Sequence, residues 1–424
     1  MPKEINSSKH RAYKVKRISW RPLGGLLGPA IKDARQSLLA LIVAVIASLV
    51  TGLGLVEAAE LFEENHGLFL ILPAAIGLRG NVFGPFASRL STAIQAGIFS
   101  WSWKRDSLLG QNIISVASAS FSASLFVGVL AKFIAEVSLG ENIEVMSLFE
   151  FVLISLISAA IATVFLLAIT LALAVASARF GWDLDNVIAP IVSAAGDLVT
   201  LPAVLFAVVL LKYSSVSIAL GVICVAFTVL SFLLLFHKSN KVALRIYVES
   251  LPVLFIAGFV SLLAGIVLES SRSDFQTFSV LLVLLPGYLT TAGALGGILS
   301  NRLSTKVHLG LVSATSVPSG AARKDIALTF QLALPIFIFL AFIAQLVVIS
   351  LGESSPGLGW LIVVLFTGGL LSTTFVALVA YYGTLIVVKF GLDPDNHGIP
   401  VVSASLDLVG SSTLVGALML WGLI

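Results

Sequence analysis

The sequence predicts an all-α polytopic membrane protein: about eleven transmembrane helices, as two parallel-oriented five-helix repeats joined by one linking helix, with a pseudo-two-fold axis along the membrane normal. Three observations carry that expectation. Of 424 residues, 58% are hydrophobic and only 11% charged, more apolar surface than a water-soluble fold can hide. The apolar residues gather into helix-length runs between short polar loops. Landmarks of the first half recur in the second, 210 to 213 residues later.

Residues 1–35 form a basic segment with Lys3, Lys9, Arg11, Lys14, Lys16, Arg17, Arg21, Lys32 and Arg35. The first apolar run behind it is already span-sized, so the segment is expected to stay cytoplasmic and not to act as a cleavable signal peptide. Apolar stretches then fall near 38–56, 68–98, 112–135, 149–178, 187–211, 216–236, 250–268, 278–310, 326–351, 358–388 and 398–423. About 20 apolar residues cross the hydrocarbon core, which makes eleven candidate spans. The even-numbered spans lead into loops with Lys104, Arg105, Arg179, Lys238, Lys241, Arg245, Arg323, Lys324 and Lys389, whereas the opposite loops hold Glu57, Glu60, Glu63, Glu64, Glu136, Glu141, Glu144, Glu269, Asp274 and Glu353. With basic loops inside, the C-terminus falls outside; Lys212 and Arg272 are the exceptions. A plasma-membrane location fits this pattern.

The second and eighth spans carry glycine and polar residues, Pro73 to Pro85 and Pro286 to Gly297. Their composition predicts irregular backbone, tolerated at membrane depth only where protein or a water-filled cavity receives it. Each closes on a shared signature, Arg89-Leu90-Ser91-Thr92 and Arg302-Leu303-Ser304-Thr305. The duplication divides the chain into a first repeat at 36–211, a linking helix at 212–244 and a second repeat at 245–424. Five spans is an odd number, so the linking helix returns the chain to the starting side and both repeats insert the same way round. The expected unit is a monomer acting as a pseudo-dimer.

Composition excludes several functions. A formal charge of +3, spread over short loops, speaks of topology and of membrane lipids, not of nucleic acid. The single Cys224 leaves no disulfide, cysteine zinc site or iron–sulfur cluster. The five histidines lack ligand spacing, and no cofactor is expected.

The fifth and last spans carry the chemistry. Asp183, Asp185 and Asn186 precede Pro190, Ser193 and Asp197; Asp393, Asp395 and Asn396 precede Pro400, Ser403 and Asp407. On a helix each proline, serine and inner aspartate share one face. A carboxylate at the centre of a membrane helix costs roughly 2.5–3.5 kcal/mol to insert, so two at matching depth ask for a cation between them. Paired carboxylates with nearby hydroxyls suit a hard divalent ion, and magnesium, which sheds water reluctantly, fits two carboxylates better than calcium does. Asp197 and Asp407 are the expected ligands, through water. Ser193, Ser403 and Asn81 are polar contributors, Asn81 asymmetrically, since Ala294 stands at its counterpart. Asp185 and Asp395 stand at the inner mouth, where they cap helices or concentrate cations in a cytoplasmic vestibule.

Other readings compete. Each aspartate could instead pair with an interior cation, Arg79, Arg89, Arg302 or Lys306. A sodium- or proton-coupled carrier of another solute would use the carboxylates as coupling-ion sites, but no aromatic or charged substrate anchors stand out. An intramembrane aspartyl hydrolase would need a Gly-x-Gly-Asp pattern, which is absent; no enzyme is expected.

Leu78-Arg79-Gly80-Asn81, followed by Ala87-Ser88-Arg89-Leu90-Ser91-Thr92, is similar to the second-span signature of the MgtE and solute carrier family 41 magnesium transporters. Asp185-Asn186, Pro190 and Asp197, with Asp395-Asn396, Pro400 and Asp407, resemble that family's fifth-span signature. The resemblance implies a two-repeat version of a pore that bacterial relatives build from two five-span subunits, with the ion held at the central axis by Asp197 and Asp407. It implies magnesium as transported substrate; the motifs are shared by channels and coupled carriers, so conduction and coupling to sodium or protons both stay open. The family's cytosolic sensing domain is not expected ahead of the first span, and Gly293-Ala294 replaces the Gly-Asn pair in the second repeat.

Overall fold

The computed structural model describes residues 29–95, 97–139, 145–180, 184–270, 279–308, 311–312, 317–318, 320–352, 355–390 and 394–423. The regular structure among them is helical. Eleven helices are long and apolar enough to cross a membrane: α1 (Pro29–Glu57), α2 (Leu68–Gln95), α3 (Leu108–Leu139), α4 (Leu148–Phe180), α5 (Leu184–Leu211), α6 (Ser214–Leu235), α7 (Lys241–Ser270), α8 (Ser279–His308), α9 (Gly320–Leu351), α10 (Leu358–Lys389) and α11 (Pro394–Leu420). Even α6, with 22 residues, reaches about 33 Å at 1.5 Å per residue, enough for a hydrocarbon core of about 30 Å. Most of the basic N-terminal segment lies outside the described residues, as do Asp183, Asp393, Glu141, Glu144, Arg272, Asp274 and Glu353.

One expectation is corrected. The second and eighth spans are not broken: α2 runs helical through Pro73 and Pro85, and α8 through Pro286. Gly77, Gly287 and Gly296 serve close contact instead of interruption, lying against Asp407, Leu340 and Val402, because these are the helices the others surround. In their most apolar stretches 83% and 89% of residues are buried, against 22% for α6. Leucine-sized side chains on every face of so enclosed a helix would hold its neighbours apart.

Packing is duplicated. The first helix of each half lies along the second helix of the other, α1 on α8 and α7 on α2. Likewise α1 packs on α5 as α7 does on α11, and each of α5 and α11 packs on both α2 and α8. Outside them, α3 and α4 flank α2 as α9 and α10 flank α8. The linking helix α6 lies against α3 and α4.

Two paired features hold this arrangement in register. At one end, Arg89 Nε donates to Asn112 Oδ1 at 2.8 Å and Arg302 Nε donates to Asp325 Oδ1 at 3.0 Å, so α2–α3 and α8–α9 are latched at positions 213 apart. Lys306 adds a 2.5 Å contact to Asp325. Where the halves meet, Gly52 of α1 abuts the Val283 backbone and Gly265 of α7 abuts the Leu70 backbone. A Cβ on either glycine would collide with a carbonyl oxygen, which cannot swing aside as a side chain can.

Gly52→Leu and Gly265→Leu are therefore expected to weaken the same inter-repeat contact to a similar degree, by about 1–3 kcal/mol or more each. Thermal unfolding in detergent, followed by loss of the monodisperse size-exclusion peak, measures it; an unchanged midpoint for both would contradict the packing.

Candidate functional site

Asp197 and Asp407 face one cavity between the halves. On α5, Ser193 and Asp197 are one turn apart on the same face; on α11, Ser403 and Asp407 repeat the arrangement, and all four line the cavity. The rest of the wall comes from α1, α2, α7 and α8. It is made wholly of repeat-related pairs: Leu55 with Leu268, Leu72 with Leu285, Pro73 with Pro286, Ile76 with Leu289, Gly77 with Thr290, and Gly80 with Gly293. Each of these pairs is 213 residues apart, and the serines and aspartates are 210 apart. A wall built this way is bordered equally by both halves of the chain.

The aspartate helices do not pack along one another; α2 and α8 lie against both. Even so, both carboxylates line the same cavity. Asp197 is only 4% exposed. Its Oδ2 accepts from Ser48 Oγ at 3.2 Å and from Thr290 Oγ1. Asp407 Oδ2 accepts from Ser261 Oγ at 2.5 Å. Ser48 and Ser261 are themselves 213 apart, so each aspartate takes a hydroxyl from the first helix of its own half. The other half supplies the difference: Thr290 of α8 donates to Asp197, whereas Gly77 of α2 brings bare backbone against Asp407. A Cβ on Gly77 would lie 2.5 Å from Asp407 Oδ2.

The interior arginines are engaged elsewhere. Arg79, fully buried, donates from Nη1 to Ser120 at 2.6 Å, from Nη2 to Ser124 at 2.5 Å and from Nε to the Ala75 carbonyl at 3.2 Å. Arg89 meets Asn112, and Arg302 and Lys306 share Asp325. Neither cavity aspartate forms an ion pair among the described residues. Two uncompensated carboxylates in a membrane interior leave room for a mobile counter-ion.

The space suits a small one. The cavity offers about 60 Å³ to water, a few molecules at ~10–15 Å³ each. Among the described residues no cluster of three or more His, Cys, Asp or Glu occurs. A cation here would keep part of its hydration shell, as magnesium does at sites with one or two carboxylates.

Other expected residues lie apart. Asn81 is buried but lines a separate, much smaller cavity with Arg89, Ser115 and Ser250, and its amide has no hydrogen-bond partner among the described residues. Asp185 and Asp395 fall in the first turns of α5 and α11, with side chains outside the described residues. The sequence reading missed Ser48, Ser261, Thr290 and Gly77. A signal existed for the serines: each is a hydroxyl in an apolar run, repeated at the 213-residue offset of the second-span signatures.

The model of the MgtE family, described as divalent cation transporter, matches residues 72–208 and 285–417. These segments run from α2 to α5 and from α8 to α11. Solute carrier family 41 member 3 of Rattus norvegicus is 24% identical over 86% of this chain and 84% of its own. The same member of Mus musculus is 25% identical over 87% and 80%, and Solute carrier family 41 member 2 of Homo sapiens 27% over 85% and 65%. No solved structure matches.

The unequal hydroxyl supply has a measurable consequence. Ser261→Ala removes the one hydroxyl donor seen at Asp407, whereas Ser48→Ala leaves Thr290 on Asp197, so Ser261→Ala is expected to be the costlier. A hydrogen bond to a charged group contributes about 1.5–3 kcal/mol. Paired thermal denaturation of the two variants checks the order; equal losses would contradict it.

Proposed function

The chain belongs to the MgtE family of divalent cation transporters, and from that premise we propose that it moves magnesium across the membrane through the cavity between its repeats, with Asp197 and Asp407 holding the partly hydrated ion. The observation that carries this reading is the cavity wall of repeat-related pairs, with two carboxylates and no protein cation to neutralise them.

Each residue then has a physical task. Asp197 and Asp407 supply the charge that offsets what a divalent ion loses on leaving bulk water. Ser48, Thr290 and Ser261 donate to the carboxylates and fix where their free oxygens point. Ser193 and Ser403, one turn away, offer hydroxyls to the ion's waters. Gly77 and Gly80 keep the wall thin, so that backbone and water, not side chains, border the ion. Asp185 and Asp395 raise the cation concentration at the cytoplasmic mouth. At the other end, Leu55, Leu268, Leu72 and Leu285 border the cavity with nothing that can replace a lost water, which makes that side the barrier. Asn81, in its own cavity, contributes through α2 and not as a direct ligand.

Orientation follows the basic loops: the N-terminal segment inside, α11 ending outside, in the plasma membrane. Sodium or protons are the candidate coupling ions. A carrier for an organic solute is not favoured, since the cavity has room for a few waters only. Hydrolysis is not favoured either, since the family that the chain matches is one of transporters.

Magnesium uptake into vesicles containing the purified chain tests the proposal. Asp197→Ala and Asp407→Ala are each expected to lower uptake at least tenfold while leaving the size-exclusion profile intact; uptake indifferent to both overturns the assignment. An opposing sodium gradient separates the modes, acceleration marking exchange and indifference marking conduction.

A further inference from the structure

The linking helix has no repeat mate, and the surface it would cover in the second half is bare. In the first half α6 lies in the groove between α3 and α4. Ser118 Oγ donates to the Ser231 carbonyl of α6 at 2.9 Å, Phe121 packs on Phe227 with ring centres 4.9 Å apart, and Gly221 abuts Phe149 and Leu153. Ser118 and Phe121 are buried there, the latter 4% exposed. The Arg89–Asn112 and Arg302–Asp325 latches fix the α3-to-α9 correspondence at 213. Ser118 thus maps to Gln331, and Phe121 to Leu334.

Both mapped residues are uncovered. Leu334 is 50% exposed and, with Phe330, Phe366 and Leu370, lines an open apolar groove between α9 and α10. Gln331 is exposed and makes no side-chain hydrogen bond among the described residues. It lies 4.5 positions from the midpoint of α9, ~7 Å at 1.5 Å per residue and so inside a hydrocarbon core of about 30 Å. An amide facing lipid at that depth has neither water nor protein to bond with.

We propose that the α9–α10 groove is an interface with a second copy of this chain. Two copies inserted the same way round are related by an axis along the membrane normal, which brings identical residues to one depth. Glutamine is donor and acceptor at once, so Gln331 pairs with Gln331 of the other copy, and the Leu334 and Phe366 surfaces close over the pair. The resulting assembly is a dimer of pseudo-dimers, with each ion cavity wholly inside its own chain.

Disulfide trapping tests this directly, because Cys224 is the only cysteine. In a Cys224→Ser background reconstituted in lipid nanodiscs, Leu334→Cys is expected to yield, under mild oxidation, a species of twice the 44.6 kDa chain mass. Ile223→Cys, on the lipid face of α6, is expected to stay at the single mass. Native mass measurement of the unsubstituted chain is expected to give two copies, and Gln331→Leu to lower that fraction at least fivefold. A single-chain mass overturns the proposal, as does a dimer trapped through Ile223 but not Leu334, or a dimer fraction untouched by Gln331→Leu. A monomer whose groove holds only lipid overturns it as well.

Discussion

Two carboxylates facing one small cavity inside the membrane are the constraint around which the rest of this molecule is arranged. An isolated carboxylate in a low-dielectric interior is costly, and the usual relief is an arginine or lysine partner. Here the interior cations are engaged by other groups: buried Arg79 by Ser120 and Ser124, half-buried Arg302 and Lys306 by Asp325. Among the described residues the cavity aspartates receive hydroxyl donors only, which orient a carboxylate without neutralising it. The rest of the architecture follows from keeping two such groups near one another and near nothing positive. Six helices have to surround them, and glycines have to let those helices approach.

Near-symmetry with local exceptions is the second theme. The wall of the cavity repeats residue for residue, yet at the aspartates themselves Thr290 answers Gly77. One carboxylate is held by two hydroxyls and the other by one, with backbone beside it. A pathway between two separate identical subunits would have to be alike on both sides, whereas a duplicated chain is free to tune each side separately. The polar interiors differ in the same way: the first half buries Arg79 among serines, and the second buries Tyr288 against Ser372 and Thr413.

Much of this was legible in the sequence, for identifiable reasons. The eleven spans announce themselves because lipid demands long unbroken apolar runs, and the repeat shows in rare residues such as Asp197, Asp407, Arg89 and Arg302, which stand out against leucine and alanine. The sequence reading erred at α2 and α8, where glycine and proline suggested broken backbone. Those residues answer to neighbouring helices, a tertiary cause that no single run of sequence displays. Ser48 and Thr290 escaped notice for the same reason, since a hydroxyl in a membrane helix usually bonds its own backbone. Only the partner's position shows that these two do not. The separation of Asn81 from the aspartates depends on which way a side chain leaves α2, and spacing alone does not encode that.

The exchange of first helices between halves bears on how the chain is made. When α1 leaves the ribosome, its packing partner α8 is still more than 200 residues from synthesis, because α1 ends at Glu57 and α8 starts at Ser279. At about 5–20 residues per second, Gly52 waits ~10–45 s with lipid tails against the surface meant for Val283. Its counterpart α7 faces no such delay, since α2 is already in the bilayer when Gly265 emerges. Symmetric in the finished molecule, the two seams are therefore closed in a fixed order, and the nascent chain must tolerate an unfinished first half until the second arrives.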